Sequence, residues 1–458
     1  MYRQGILYIG GWHMEARGND YYGREKIRKI LLQIAPPVML AQLIQALYNI
    51  VDSFFVGMYS DDALTALSVI YPLQLIIIAL AVGTGVGVNT YMARQYAYGH
   101  PDEADNAAAT GMVLAVVTWV ILSVVCMAIM RPFVLLGATA PDAVEYAVTY
   151  GNIVTVGSLG LLLEGNWTKV HQARGNMRRP MLAQVAGALT NIVLDPLLIF
   201  GLGPFPKMGV AGAALATVIG QFVAAIIVAF GAVYKPPACK KLLHCTGQIY
   251  YLGYSSILMQ SLYTVYILAL NMVLAKFSDA AVTVLGLYYK LQSFFFIPLF
   301  AMETCIIPVL SYNCAARNYE RCKQTVHFAL LVSILFMLLG VVGFVFFPDL
   351  LIGLFSSNAQ VHDIGKTAFP IIGCSFIPAA AGLMMPHFFQ AIGKGIASSF
   401  LAVLRQLICL VPIFWAFSFV GLNYTWIAFP LAELISGGVG YIMFYFQLRQ
   451  WKRETPEP

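Results

Sequence analysis

Runs of about twenty apolar residues, enough for a helix to cross a bilayer core about 30 Å thick, recur along the whole chain between short clusters of charge, Gly and Pro. A chain built this way folds in lipid. Across 458 residues, 60% are apolar and only 10% are Asp, Glu, Lys or Arg, too few charges to coat a water-exposed surface of this size. The runs predict helical spans near 30–58, 63–92, 107–130, 142–166, 181–202, 209–233, 251–275, 280–311, 325–347, 364–388, 396–420 and 425–447. Little chain is left over for a soluble domain.

Charge gives the orientation. Of 27 Lys and Arg, only Arg131, Lys207, Lys276 and Lys366 fall on one side, Lys290 and Arg405 fall in or near spans, and the other 21 fall on the side of both termini. Positive residues concentrate on the cytoplasmic side, so both termini are expected inside a cell membrane, and the net charge of +6 reflects topology. No nucleic-acid partner is expected. Residues 1–29 lack the apolar stretch and cleavage site of a secretory signal, and read as a cytoplasmic lead-in. Eight cysteines, among them Cys239 and Cys245, have no metal-ligand spacing, so no metal centre or cofactor is expected.

The sequence repeats at an offset of 218. Within 60–74, eight positions match: Ser60/Ser278, Asp61/Asp279, Ala63/Ala281, Thr65/Thr283, Leu67/Leu285, Tyr71/Tyr289, Leu73/Leu291 and Gln74/Gln292. The same ungapped offset aligns Gln172-Ala173-x-Gly175 with Gln390-Ala391-x-Gly393. Six spans separate each residue from its counterpart, so the halves enter the membrane in the same direction, related by a pseudo-two-fold along its normal. The expected fold is an all-α polytopic membrane protein of twelve spans in two pseudo-symmetric six-helix bundles. Its parts are a cytoplasmic segment 1–29, a first lobe 30–234, a linker 235–250, a second lobe 251–447 and a cytoplasmic tail 448–458. Two lobes that rock about a site between them suit alternating access. Glycine-rich pieces such as 83–87 and 209–214 lack the Lys-Ser/Thr of a phosphate loop and read as close helix packing.

Charges within spans are costly and are functional candidates by default. Gln45, Tyr48 and Asp52 share one helix face, Asn191 and Asp195 share another, and with Thr217 they fall at about the same depth, roughly 10–12 Å from one surface at 1.5 Å per residue. Pro196 removes a backbone donor beside them. Desolvation disfavours a carboxylate's charged form, so Asp52, Asn191, Asp195 and Thr217 suit reversible uptake of H⁺, or of Na⁺ held by carboxylate, amide and hydroxyl oxygens. The repeat partners of the two acids are Leu270 and Ile413, which leaves the acids to one lobe. Further pocket candidates are Asn49, Asn166, Tyr266, Lys290, Met302 and Glu303. Glu164 reads as interfacial, Glu433 as a pathway residue, Lys290 as a partner for Glu303 or Glu433, and Arg405 as snorkelling to the cytoplasm. Tyr263, Tyr266, Tyr288 and Phe294–Phe296 read as core or as a lining for flat cationic ligands.

At Asn191-Ile192-Val193-Leu194-Asp195-Pro196, with Gly209–Thr217, Tyr48–Asp52 and Gln172–Asn176, the sequence resembles the MATE (multidrug and toxic-compound extrusion) family of bacterial efflux transporters. The resemblance implies a V-shaped pair of six-helix bundles. It also implies export of cationic or amphipathic compounds, organic cations in the first instance, by a monomer in exchange for H⁺ or Na⁺, and it matches the branch with acids in the first lobe. An alternative from the wider superfamily is a flippase of a lipid-linked precursor, which calls for a cationic cavity. No enzyme is expected, because no catalytic cluster shares one depth.

Overall fold

The computed structural model describes residues 21–454 apart from 136, 138, 139 and 357; residues 1–20 of the expected lead-in and 455–458 of the expected tail lie outside them. The described residues form helices joined by short turns, with no strand among them. Ten helices are long and apolar enough to cross a membrane, and two bent pairs bring the spans to twelve. In chain order, spans one to six are Ile27–Tyr59, Asp61–Ala97, Pro101–Val134, Pro141–Gly157 with Leu159–Ala173, Arg178–Phe200 and Val210–Ala229. Spans seven to twelve are Cys239–Leu274, Asp279–Phe295 with Ile297–Ala315, Tyr319–Phe346, Ala359–Gly373 with Phe376–Ala391, Gly395–Ser418 and Leu422–Glu454. The protein is a multi-pass membrane protein.

The repeat is visible in backbone detail. Span two begins at Ser60, whose hydroxyl accepts from the Asp62 N–H, and span eight begins at Ser278, whose hydroxyl accepts from the Ala281 N–H. Both are N-caps at the 218 offset (278 − 60). Such a cap contributes about 1 kcal/mol. Spans four and ten are bent by 41° and 56°, and their limits are again 218 apart (359 − 141 and 391 − 173). The breaks fall at Gly157-Ser158 and Gly373-Cys374-Ser375, where small residues tolerate a kink.

The lobes meet most closely in the half of the membrane nearer the termini. Spans two and seven touch through glycines: a Cβ on Gly87 would lie 2.1 Å from the Ile249 carbonyl oxygen, and one on Gly253 would lie 2.3 Å from that of Gly83. Across the same seam Arg94 donates to the Ala391 carbonyl at 3.3 Å and Lys241 pairs with Glu103 at 2.9 Å. The short helix Tyr21–Arg24 straps the two lobes together. The Tyr22 hydroxyl donates to the Gln172 carbonyl at 2.6 Å, while Asn313 and Arg321 of the second lobe donate to the Tyr22 carbonyl at 3.1 and 2.8 Å. In both copies of the Gln-Ala-x-Gly motif a helix-end carbonyl thus accepts from outside its own lobe, Gln172 from Tyr22 of the strap and Ala391 from Arg94 of the first lobe. Gly175 and Gly393 finish the motif at φ +77° and +80°, a conformation that costs glycine nothing and other residues strain.

Candidate functional site

Within the first lobe, helical spacing brings the polar stripes of spans one, five and six together. Asn191 is 2% exposed, and its amide donates to Asp195 Oδ1 and to Thr217 Oγ1, each at 3.3 Å. Asp52 of span one and Asp195 of span five are in side-chain contact. Tyr48 lies beside Asp52 and contacts Gln45. Pro196, one residue past Asp195, leaves the Ile192 carbonyl without its helical donor. The four residues proposed for cation coupling are therefore mutual neighbours.

The site is rich in acceptors and poor in donors. Asp52 Oδ1, Asn191 Oδ1 and Asp195 Oδ2 are buried without a hydrogen-bond partner, as is the nearby Gln221 Oε1. Leaving one such group unsatisfied costs about 1–3 kcal/mol, more when it is charged. A proton shared by the carboxyl groups, or a Na⁺ ringed by these oxygens and Thr217, removes that cost. The donor set fits either ion.

Next to this cluster lies a cavity of about 80 Å³ lined by Gln45, Tyr48, Glu164, Gln184, Asn191, Thr217 and Gln221 among others. It has room for a few waters and falls well short of the several hundred Å³ a drug-sized ligand occupies. Ion and water fit here, and a drug-sized ligand does not. Glu164, expected at the interface, is instead buried at 7% exposure, accepts from the Thr168 hydroxyl at 2.8 Å, and faces the cavity. The span therefore runs on to Ala173, well past the expected end, and takes Glu164 into the bundle. Gln184, Gln221 and Tyr150 were not singled out from sequence. The first two continue the Asn191 and Thr217 stripes by two turns and one turn. Tyr150 arrives from span four, where its hydroxyl meets Gln74 at 3.4 Å and reaches Thr217.

The other sequence candidates are dispersed. Asn49 is exposed on span one. Asn166 is buried against Gly111 of span three, away from the cluster. Tyr266, Met302 and Glu303 are buried in the second lobe, where Glu303 Oε2 lies 3.8 Å from His387 Nδ1. Arg405 does not snorkel. It is buried in the π-helical turn Leu404–Leu410 and grips Glu433 with bonds of 2.6, 2.9 and 3.0 Å. Glu433 is thus no partner for Lys290, and Gly382 leaves the space: a Cβ there would lie 2.6 Å from Glu433 Oε2. Breaking such a pair strands a buried charge and costs about 3–5 kcal/mol, whereas replacing both members with apolar residues is often neutral. Arg405→Met alone is expected to lower the thermal stability of the purified protein sharply, and Arg405→Met with Glu433→Met to restore it. Size-exclusion of heated samples measures both.

The MatE family model matches residues 37–197 and 255–415, two stretches displaced by the same 218 residues (255 − 37 and 415 − 197). The chain is similar to the FAD transporter of Shewanella oneidensis, 25% identical over 429 residues that cover 91% of this chain and 94% of that one. It is also similar to the multidrug export protein MepA of Staphylococcus haemolyticus, 21% identical, with 93% and 95% covered. Among solved structures, a MOP superfamily transporter from Pyrococcus furiosus superposes with a TM-score of 0.88 at 24% identity, covering 95% of this chain and 98% of that one. An outward-facing multidrug resistance MATE family transporter superposes at 0.87, also at 24% identity, covering 94% and 98%. At this identity the structures establish the shared fold.

Proposed function

The chain belongs to the MatE family, and from that premise we propose that it exports amphipathic small molecules by alternating access, driven by H⁺ or Na⁺ entering the first lobe. The face carrying the termini is the cytoplasmic one, and a single chain, which holds both lobes, is the working unit. The observation that carries this reading is the cluster of buried, unpartnered acceptor oxygens on Asp52, Asn191 and Asp195. A cation from outside satisfies them and favours one arrangement of the lobes. Cargo bound from the cytoplasm favours the other, so each ligand shifts the equilibrium by its difference in affinity for the two states. The FAD transporter and MepA relatives bear names with different cargoes, so family membership leaves the cargo's charge open.

Purified protein in proteoliposomes, given a pH gradient and a Na⁺ gradient separately, tests the proposal. One of the two gradients is expected to drive accumulation of a fluorescent amphipathic compound against its concentration. Movement that ignores both gradients overturns ion coupling.

A further inference from the structure

We infer that the cleft between the lobes selects an amphipathic aromatic molecule carrying a phosphate or carboxylate, with Lys290 as its charge partner. This rests on the cleft being the cargo path of the transporter proposed above.

Lys290 lies eleven residues into the helix Asp279–Phe295, about 17 Å along its axis, close to the middle of a core about 30 Å thick. It is exposed there. That depth is too great for snorkelling to either surface, and a bare ammonium in hydrocarbon is expensive. The face it occupies is not a lipid face. Thr283, Gly286, Lys290 and Ser293, spaced i, i+3, i+7, i+10, are all exposed, and no large apolar residue of Asp279–Phe295 is. The neighbouring span Tyr319–Phe346 shows the contrast, exposing Leu331, Leu335, Leu339, Val342 and Phe346. Lys290 therefore faces water between the lobes.

Among the described residues no acid pairs with it. The acids of the second lobe are placed elsewhere, Glu433 against Arg405 and Glu303 beside His387, and Asp52 and Asp195 turn toward each other inside the first lobe. Span one of the first lobe exposes Asn49 and Ser53 beside Leu47, Ile50 and Phe54, none of them charged. The mid-membrane cleft is left with a single exposed charge among the described residues, and that charge is positive. The organic cation expected from resemblance would meet repulsion here.

A ring-binding surface adjoins the lysine. Tyr263, Tyr266 and Tyr289 pack edge to face with centroids 5.5–6.3 Å apart, and the Tyr289 hydroxyl is buried without a partner. Tyr71 of the first lobe, 55% exposed, lies within interaction range of Tyr263. Tyrosines from both lobes can hold a flat ring by offset or edge contact while Lys290, one residue from Tyr289, takes the acid group.

Riboflavin 5′-phosphate, riboflavin and ethidium are fluorescent rings that differ in charge, and their equilibrium binding to the protein in neutral-lipid nanodiscs tests the inference. The phosphate is expected to bind about tenfold more tightly than riboflavin, a difference of about 1.4 kcal/mol. Lys290→Gln should erase that preference and leave riboflavin binding unchanged, Lys290→Arg should keep it, and Lys290→Glu should make ethidium the tighter ligand. Equal binding of phosphate and neutral ring by the native protein, or a preference that survives Lys290→Gln, overturns the inference. Displacement of the flavin phosphate by added phosphatidylglycerol also overturns it, because the site would then belong to a lipid headgroup. Binding at equilibrium needs no gradient, so a failure of ion coupling in proteoliposomes would leave this result readable.

Discussion

Replacing Asp195 with Asn is expected to abolish concentrative export while the protein still folds and binds cargo. Asn keeps the volume and can still accept from the Asn191 amide, now 3.3 Å from Asp195 Oδ1, so packing in the first lobe is retained. It removes the charge that attracts a cation, and its amide adds a donor to a site whose open valences are all acceptors. The two lobe arrangements then lose the free-energy difference that the ion supplies. Coupling between sites typically amounts to about 1–3 kcal/mol, or roughly 5–150-fold, and with all of it lost, uphill accumulation in proteoliposomes should disappear. Downhill exchange of labelled cargo should persist. A variant that still accumulates cargo with normal ion dependence would place the coupling site elsewhere.

Gly87→Val should act at the other end of the cycle. A Cβ at this position would lie 2.1 Å from the backbone oxygen of Ile249, and a carbonyl within a helix cannot step aside as a flexible side chain can. Overpacking of this kind costs about 1–3 kcal/mol. The cost falls only on the arrangement in which spans two and seven touch. The equilibrium should shift by roughly 5–150-fold toward the state open on the terminal face. Spin labels at Tyr98 and Ile396, exposed at the terminal ends of spans two and eleven, report the change as a longer inter-lobe distance. Labels that keep the native distance distribution would mean that the glycine contact does not gate the seam.

Much of the architecture was legible because it repeats. The 218 offset aligned Ser60 with Ser278 as residues, and the structure shows both as caps. The bends in spans four and ten leave no mark on an apolar run, which carries length and hydropathy but not a Gly-Ser break. The clustering of Asn191 and Asp195 is legible because the two sit one turn apart on a single helix. Gln184 and Gln221 continue those stripes but carry no charge, and an amide alone gives little warning. Arg405 and Glu433 are 28 residues apart on different helices, so no local spacing announces their pair. Sequence places Lys290 in or near span eight, but its exposure on a polar face depends on which side of that span packs inward.

The coupling cation is expected on the first-lobe carboxyls, and infrared difference spectroscopy of the purified protein reads those groups directly. Spectra taken while pH or Na⁺ is changed should show a carboxyl C=O band gained on protonation or replaced by a carboxylate band on Na⁺ binding. That signal should be altered in Asp52→Asn and absent in Asp195→Asn. An ion-induced spectrum that is unchanged in both variants, and is lost instead in Glu303→Gln, would contradict the account.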